Sequence, residues 1–184
     1  MKLSKDIHNG TILLVSKQKG KRNWMARGIQ IVEGSIWNHA GIIVKTENGL
    51  QVFEQGSIWG AIWTPLDEYL KGEADGTYKL AYKNLKDYKT QYKNHVLELN
   101  RICDELVGKR PYNVWTIFKM IPRQLLQRIG IDYRFSTKPL KYGFVCSVMV
   151  CYILNKIYGV FPEWQYYAPD DIQQDDKYTI FVQP

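Results

Sequence analysis

Phe144-Val145-Cys146-Ser147-Val148-Met149-Val150-Cys151-Tyr152-Ile153-Leu154 is the stretch that most constrains this chain. It leaves almost no face for water, and a helix hydrophobic all round is a buried one, so the run predicts a helix through the middle of the domain. Gly159 is its expected stop. Cys146 falls in the first turn, where unpaired N–H groups and the helix dipole favour an anion and lower a thiol pKa. Free cysteine is also among the most buried residue types. Cys146 therefore reads either as core packing or as a thiolate nucleophile, and a base elsewhere in the chain must decide.

A chain of 184 residues fits one compact domain, expected to span 1–184, with a core of useful size. Apolar residues at 45% and charged residues at 23% match an ordinary globular protein and exclude a disordered one. The thirteen tyrosines and six tryptophans suit either an aromatic-lined cleft or the core itself. With 25 Lys and Arg against 18 Asp and Glu, the net charge of +7 suits an anionic cell wall or membrane surface. The one dense basic cluster, Lys17, Lys19, Lys21 and Arg22, is explained by a solvated loop as well as by a phosphate site. No nucleic-acid-binding motif accompanies it, so nucleic acid is not the expected partner.

Cys103, Cys146 and Cys151 fit neither a disulfide framework nor a zinc site, and no metal or cofactor is expected. The N-terminus lacks the apolar run of a signal peptide, and the longest apolar run is too short to span a bilayer. The expectation is a soluble protein, cytoplasmic or released without a visible signal, and secreted if a signal was removed.

Along the chain, Thr11–Val15 reads as a first strand, followed by a basic loop and a short helix carrying Trp24, Met25, Ile29 and Val32 up to Gly34. Asn38-His39-Ala40-Gly41-Ile42-Ile43-Val44 is a continuous apolar run, the mark of a strand buried on both faces. Asn48-Gly49 signals a hairpin, Leu50–Glu54 returns beside it, and Ile58–Trp63 continues the meander before Pro65 opens a helix with Leu66, Tyr69 and Leu70. Thr77–Tyr82 is a further strand, and a long amphipathic helix runs from Asp87 to Val107, ending at Gly108. His95 and Cys103 lie on that helix in packing or solvent roles.

Residues 108–142 read either as a lid or groove wall or as a cap on the core. After Gly159, Pro162 and Trp164 begin a loop that leads to Tyr166–Ile172, and Tyr178–Val182 closes the sheet. The fold class is α+β.

A thiol that attacks a carbonyl needs a base, and the base needs a third group to orient it. Of three histidines, His8 sits in an N-terminal segment expected to be mobile and His95 on the long helix, which leaves His39 at the mouth of a buried strand. Glu54 is the best third member. A strict Asn48-Gly49 loop puts it opposite Ile43 and too far along the strand, whereas a loop of Thr46 to Gly49 puts it opposite Gly41, diagonal to His39. A plain solvent-facing role for Glu54 is the alternative, and Gln55 falls on the wrong face either way.

A histidine opening an early strand (Asn38-His39-Ala40-Gly41-Ile42), a glutamate closing the next (Val52-Phe53-Glu54) and a later Cys146-Ser147 at a helix start resemble the circularly permuted papain-like amidases. These are the YiiX-like relatives of the NlpC cell-wall peptidases and of lecithin:retinol acyltransferase. Gly10-Thr11-Ile12-Leu13, Ile62–Leu70, Gly108-Lys109-Arg110-Pro111-Tyr112-Asn113 and Ala168-Pro169-Asp170-Asp171-Ile172 resemble further elements of that family. Thr11 departs from it, standing where an acid is usual.

The resemblance implies a permuted papain-like fold, with an antiparallel sheet packed on a central helix that starts at the nucleophile. It implies Cys146 as nucleophile, His39 as base and Glu54 as orienter, with Tyr112 and Tyr167 as candidate substrate-binding residues. The implied activity is a cysteine peptidase or amidase, hydrolysing or transferring an acyl group from a peptidoglycan stem peptide or a lipid amide or ester. Backbone N–H groups at the helix start, Cys146's own first, are the expected oxyanion donors. A catalytically silent module that binds a cell-wall or lipid ligand is the alternative function.

Overall fold

The computed structural model describes residues 7–18, 35–56, 60–86, 95–109, 122, 125–126, 129–131 and 145–182. The helix expected up to Gly34, most of the basic cluster, Tyr112 and most of 108–142 lie outside the described residues.

Runs too apolar to leave a wet face form the frame. Strands β1 (Ile12–Lys17), β2 (His39–Thr46), β3 (Gly49–Gly56), β4 (Gly60–Pro65), β5 (Tyr78–Leu85) and β6 (Thr179–Val182) make one sheet, ordered β4-β3-β2-β1-β5-β6. All neighbouring strands in it pair antiparallel. Alternation along the strands sorts the side chains into two cores. Ile12, Leu14, Ala40, Ile42, Val44 and Phe53 point to one face. Leu13, Val15, Ile43, Val52, Leu80 and Tyr82 point to the other. Both faces are covered, which is why β1 and β2 read as continuous apolar runs rather than alternating ones.

Helix α1 (Leu66–Ala74) closes the second face with Leu66 and Tyr69. The first face is covered by α2 (Val96–Leu106), α3 (Cys146–Tyr158) and α4 (Pro169–Gln174). The long helix expected from Asp87 is described only over Val96–Leu106; residues 87–94 lie outside the described residues.

Helix α3 buries eight of its residues, Cys146 to Cys151 together with Ile153 and Leu154, as its composition requires. At about 1.5–3 kcal/mol for each large aliphatic side chain taken from water, it is the strongest single contributor to the first core. Gly159 ends it in the left-handed conformation, φ 67°, with its N–H on Asn155 O at 2.9 Å.

Two expectations require correction. The loop begun by Pro162 and Trp164 holds a 3₁₀ turn, Trp164–Tyr166, and the segment it leads to contains the start of a helix that was not expected, α4, with Pro169 at its first position and Asp171 accepting from the Ala168 N–H at 2.8 Å. A helix of six residues is too short for hydrophobic periodicity to reveal. His8, expected on a mobile segment, is tied into the turn before β1: its N–H donates to Thr11 Oγ1 at 3.0 Å, and its Nδ1 pairs with Asn9 O at 2.9 Å.

Candidate active site

The β2–β3 hairpin sets the geometry of the site. Thr46 pairs with Gly49, so Glu47 and Asn48 form the loop and Glu54 stands opposite Gly41. This is the looser of the two registers considered, and it gives His39 and Glu54 one face in a diagonal relation. Gly41 makes the approach sterically feasible: a Cβ there would meet Val52 Cγ1 at 2.5 Å and Phe53 O at 3.2 Å.

The His39 imidazole Nε2 hydrogen-bonds Glu54 Oε2. Two further groups fix the carboxylate. Tyr69 OH, from α1, donates to Oε2 at 2.7 Å, and Thr64 Oγ1, from β4, donates to Oε1. With Nε2 on Glu54, the ring also interacts electrostatically with the thiol at the start of α3, and each group shifts the pKa of the other. The backbone amides of Ala40 and Ser147 also help to lower the thiol. Cys146 is the first helical residue of α3, and Val145 before it offers no side-chain cap, so the first-turn N–H groups remain available. Cys146 is 2% exposed, against 22% for the His39 side chain.

The electrostatics follow from this arrangement. Burial alone would push the Cys146 thiol up, but the His39 charge, its hydrogen bond and the two amides pull it below the ordinary value of 9.0. Burial alone would pull the His39 imidazole down, but the Cys146 thiolate and the Glu54 carboxylate outweigh it and push it up to about 10. Burial raises Glu54, and the His39 charge with the His39, Thr64 and Tyr69 hydrogen bonds more than reverses that, leaving the carboxyl below 4.5. These shifts favour a thiolate and an imidazolium beside an ionised carboxylate. Cys103 and Cys151 lack any such partner, and burial pushes both thiols up.

Tyr167 stands apart from this chain of groups. Its ring packs edge-on against Phe161, centroids 4.9 Å apart, and burial pushes its hydroxyl up. Thr11, in place of an acid, is a structural tie: its hydroxyl donates to Asn84 Oδ1 at 2.7 Å. Thr64 and Tyr69 were not singled out as site residues from sequence. The Leu66, Tyr69, Leu70 spacing marked the packed face of α1, and a buried tyrosine on such a face needs a partner for its hydroxyl. That was the available signal. Two polar atoms beside the site have no hydrogen-bond partner, Asn38 Nδ2 and Ser147 Oγ.

No family model matches the sequence, and no curated protein matches it. Among solved structures, the chain resembles that described as the crystal structure of metalloprotein YiiX from Escherichia coli O157:H7, DUF1105. The identity is 16%, the match covers 96% of each chain and the TM-score is 0.55. The chain has a YiiX-like fold. At that identity the likeness is one of architecture.

The YiiX neighbour is described as a metalloprotein, and the site here does not fit a metal. Among the described residues no group of three or more His, Cys, Asp or Glu side chains is placed to hold an ion. The donors instead face one another: His39 Nε2 is spent on Glu54, and both Glu54 oxygens accept from protein groups. Among the described residues, no helix is long and apolar enough to cross a membrane.

Proposed function

We propose that this chain is a thiol-dependent hydrolase or acyl-transfer enzyme of permuted papain-like architecture, acting through Cys146, His39 and Glu54. One observation carries the reading: the His39 imidazole is hydrogen-bonded to the Glu54 carboxylate and held high, while the Cys146 thiol coupled to it is held low. The thiolate attacks an amide or ester carbonyl, and the His39 imidazolium delivers its proton to the departing amine or alkoxide. His39 then takes a proton from the water or acceptor alcohol that releases the acyl group. Glu54, pinned by Thr64 and Tyr69, keeps the ring oriented and balances its charge. First-turn N–H groups of α3 face the developing oxyanion.

The substrate class is a peptide amide, such as a peptidoglycan stem peptide, or a lipid-like amide or ester, and the positive net charge favours an anionic surface carrying it. A silent binding module draws on one observation, the 2% exposure of Cys146. Reaction with p-nitrophenyl acetate separates the two. The hydrolase reading expects release of p-nitrophenolate with an acetyl group mapped by mass to Cys146, and loss of both in Cys146→Ala and His39→Ala. A wild-type protein no more reactive than Cys146→Ala would leave the silent module standing.

A further inference from the structure

Folded proteins pair nearly all their buried polar groups, and an exception in a native structure calls for a reason. Asn38 is such an exception. It immediately precedes His39, is 8% exposed, and its side-chain Nδ2 has no hydrogen-bond partner. Its backbone N–H donates to Val15 O at 3.1 Å, which carries the β1–β2 ladder one residue beyond His39. Strand alternation then puts the Asn38 side chain on the face opposite that of the His39 ring, the face of Ala40 and Ile42. That is the face on which Val145 and Val148 of the α3 start are packed. The Ala40 backbone amide, two residues along, is among the groups that lower the Cys146 thiol. An amide donor without an acceptor therefore lies on the side of β2 that meets the first turn of a 13-residue helix with no side-chain cap.

We propose that the Asn38 side-chain amide is an oxyanion donor, completing with the first-turn N–H groups of α3 a cradle that is satisfied only when a carbonyl oxygen occupies it. The inference rests on the thiol-hydrolase reading. In the acylation step, Cys146 sulfur bonds to the carbonyl carbon and the C=O π pair moves to oxygen. That oxygen accepts from Asn38 Nδ2–H and from α3. The pair then returns, the bond to the leaving oxygen breaks with its electrons going to that oxygen, and a thioester remains. An N–H already aimed at the oxygen need not reorganise, which is what makes such a donor effective. Asn38 touches the reacting atoms in this step and acts as a catalytic residue.

Two reagents separate this role from a structural one. Acylation by p-nitrophenyl acetate passes through an oxyanion; displacement of iodide from iodoacetamide by the same thiolate does not. In Asn38→Ala and in the similarly shaped Asn38→Leu, acylation of Cys146 should fall about a hundredfold, the usual effect of losing one oxyanion donor. Alkylation should keep its rate to within about twofold and its pH profile, since the thiolate–imidazolium pair is untouched. The melting temperature should not fall, because the amide removed had no partner. Undiminished acylation in either variant overturns the proposal. So does a parallel loss of acylation and alkylation, or a variant that melts lower, each of which makes Asn38 a structural residue. A wild-type protein that alkylates but never acylates overturns the hydrolase reading itself, and this proposal with it.

Discussion

His39 keeps its proton up to about pH 10 against the pull of burial, and the Cys146 thiolate is the largest influence holding it there. Removing the sulfur should therefore release the ring. In Cys146→Ala the imidazole, followed by NMR through its ring protons, should titrate well below 10, with Glu54 alone left to hold it up. An unchanged titration would mean that the two side chains do not form an ion pair. At this scale the three principal residues were legible as types in position: a cysteine at a helix start, a histidine at the mouth of a buried strand and a glutamate of the right parity on the next. Thr64, Tyr69 and Asn38 were not. A hydroxyl or an amide becomes part of a site through the partner it finds or lacks, and that is settled by tertiary register rather than by residue type.

The hairpin of β2 and β3 is the element on which the site depends, and sequence left its register between two alternatives. Asn48-Gly49 is a strong turn signal, yet the loop residues are Glu47 and Asn48, and Gly49 is drawn into β3 at φ 96°. The two registers differ by two residues and leave every side chain on the same face, so side-chain alternation does not choose between them. Gly41, opposite Glu54, is the tightest point. Gly41→Ala forces a Cβ to within 2.5 Å of Val52 Cγ1 and should destabilise the fold by about 1–3 kcal/mol, the usual range for overpacking. The thermal melt reads this directly, and a melting temperature equal to wild type would show that the hairpin has room to spare. The long, all-apolar α3 and its Gly159 stop were plain from composition. The six-residue α4 was hidden, since much of its support comes from elsewhere: Lys83 of β5, fully buried, donates to the carbonyls of Ile172, Gln173 and Asp175 at 3.0, 2.7 and 2.7 Å.

At the scale of the molecule, the α+β class and the strand-rich first half followed from apolar runs and turn residues, whereas the strand order did not. Nothing in Tyr78–Leu85 or Thr179–Val182 announces that β5 pairs with β1 and that β6 then closes the far edge. Such long-range pairings are decided by which faces can be covered. The charged groups of the site also leave a signature on global stability.

The raised His39 contributes in full below its unfolded value of 6.5, and the contribution is lost as pH rises through about 10. The lowered Cys146 contributes in full above 9.0, and that is lost as pH falls through its folded value. Their slopes oppose one another between 6.5 and 9.0. Above 9.0 only the loss from His39 remains, and below 4.5 the loss from Glu54 begins. Denaturant melts across pH should therefore show the wild-type advantage over a Cys146→Ala/His39→Ala double variant holding nearly level where the slopes oppose and falling above pH 9.0. A difference independent of pH would contradict the assignment of charge.

The central claim is that Cys146 is a thiolate because His39 is an imidazolium, and the rate of its alkylation by iodoacetamide as a function of pH tests that claim most directly. Wild type should titrate below the ordinary thiol value of 9.0, and His39→Ala should move the titration to 9.0 or above, since burial then acts without the opposing charge. A wild-type thiol titrating at or above 9.0, unmoved by His39→Ala, would contradict it.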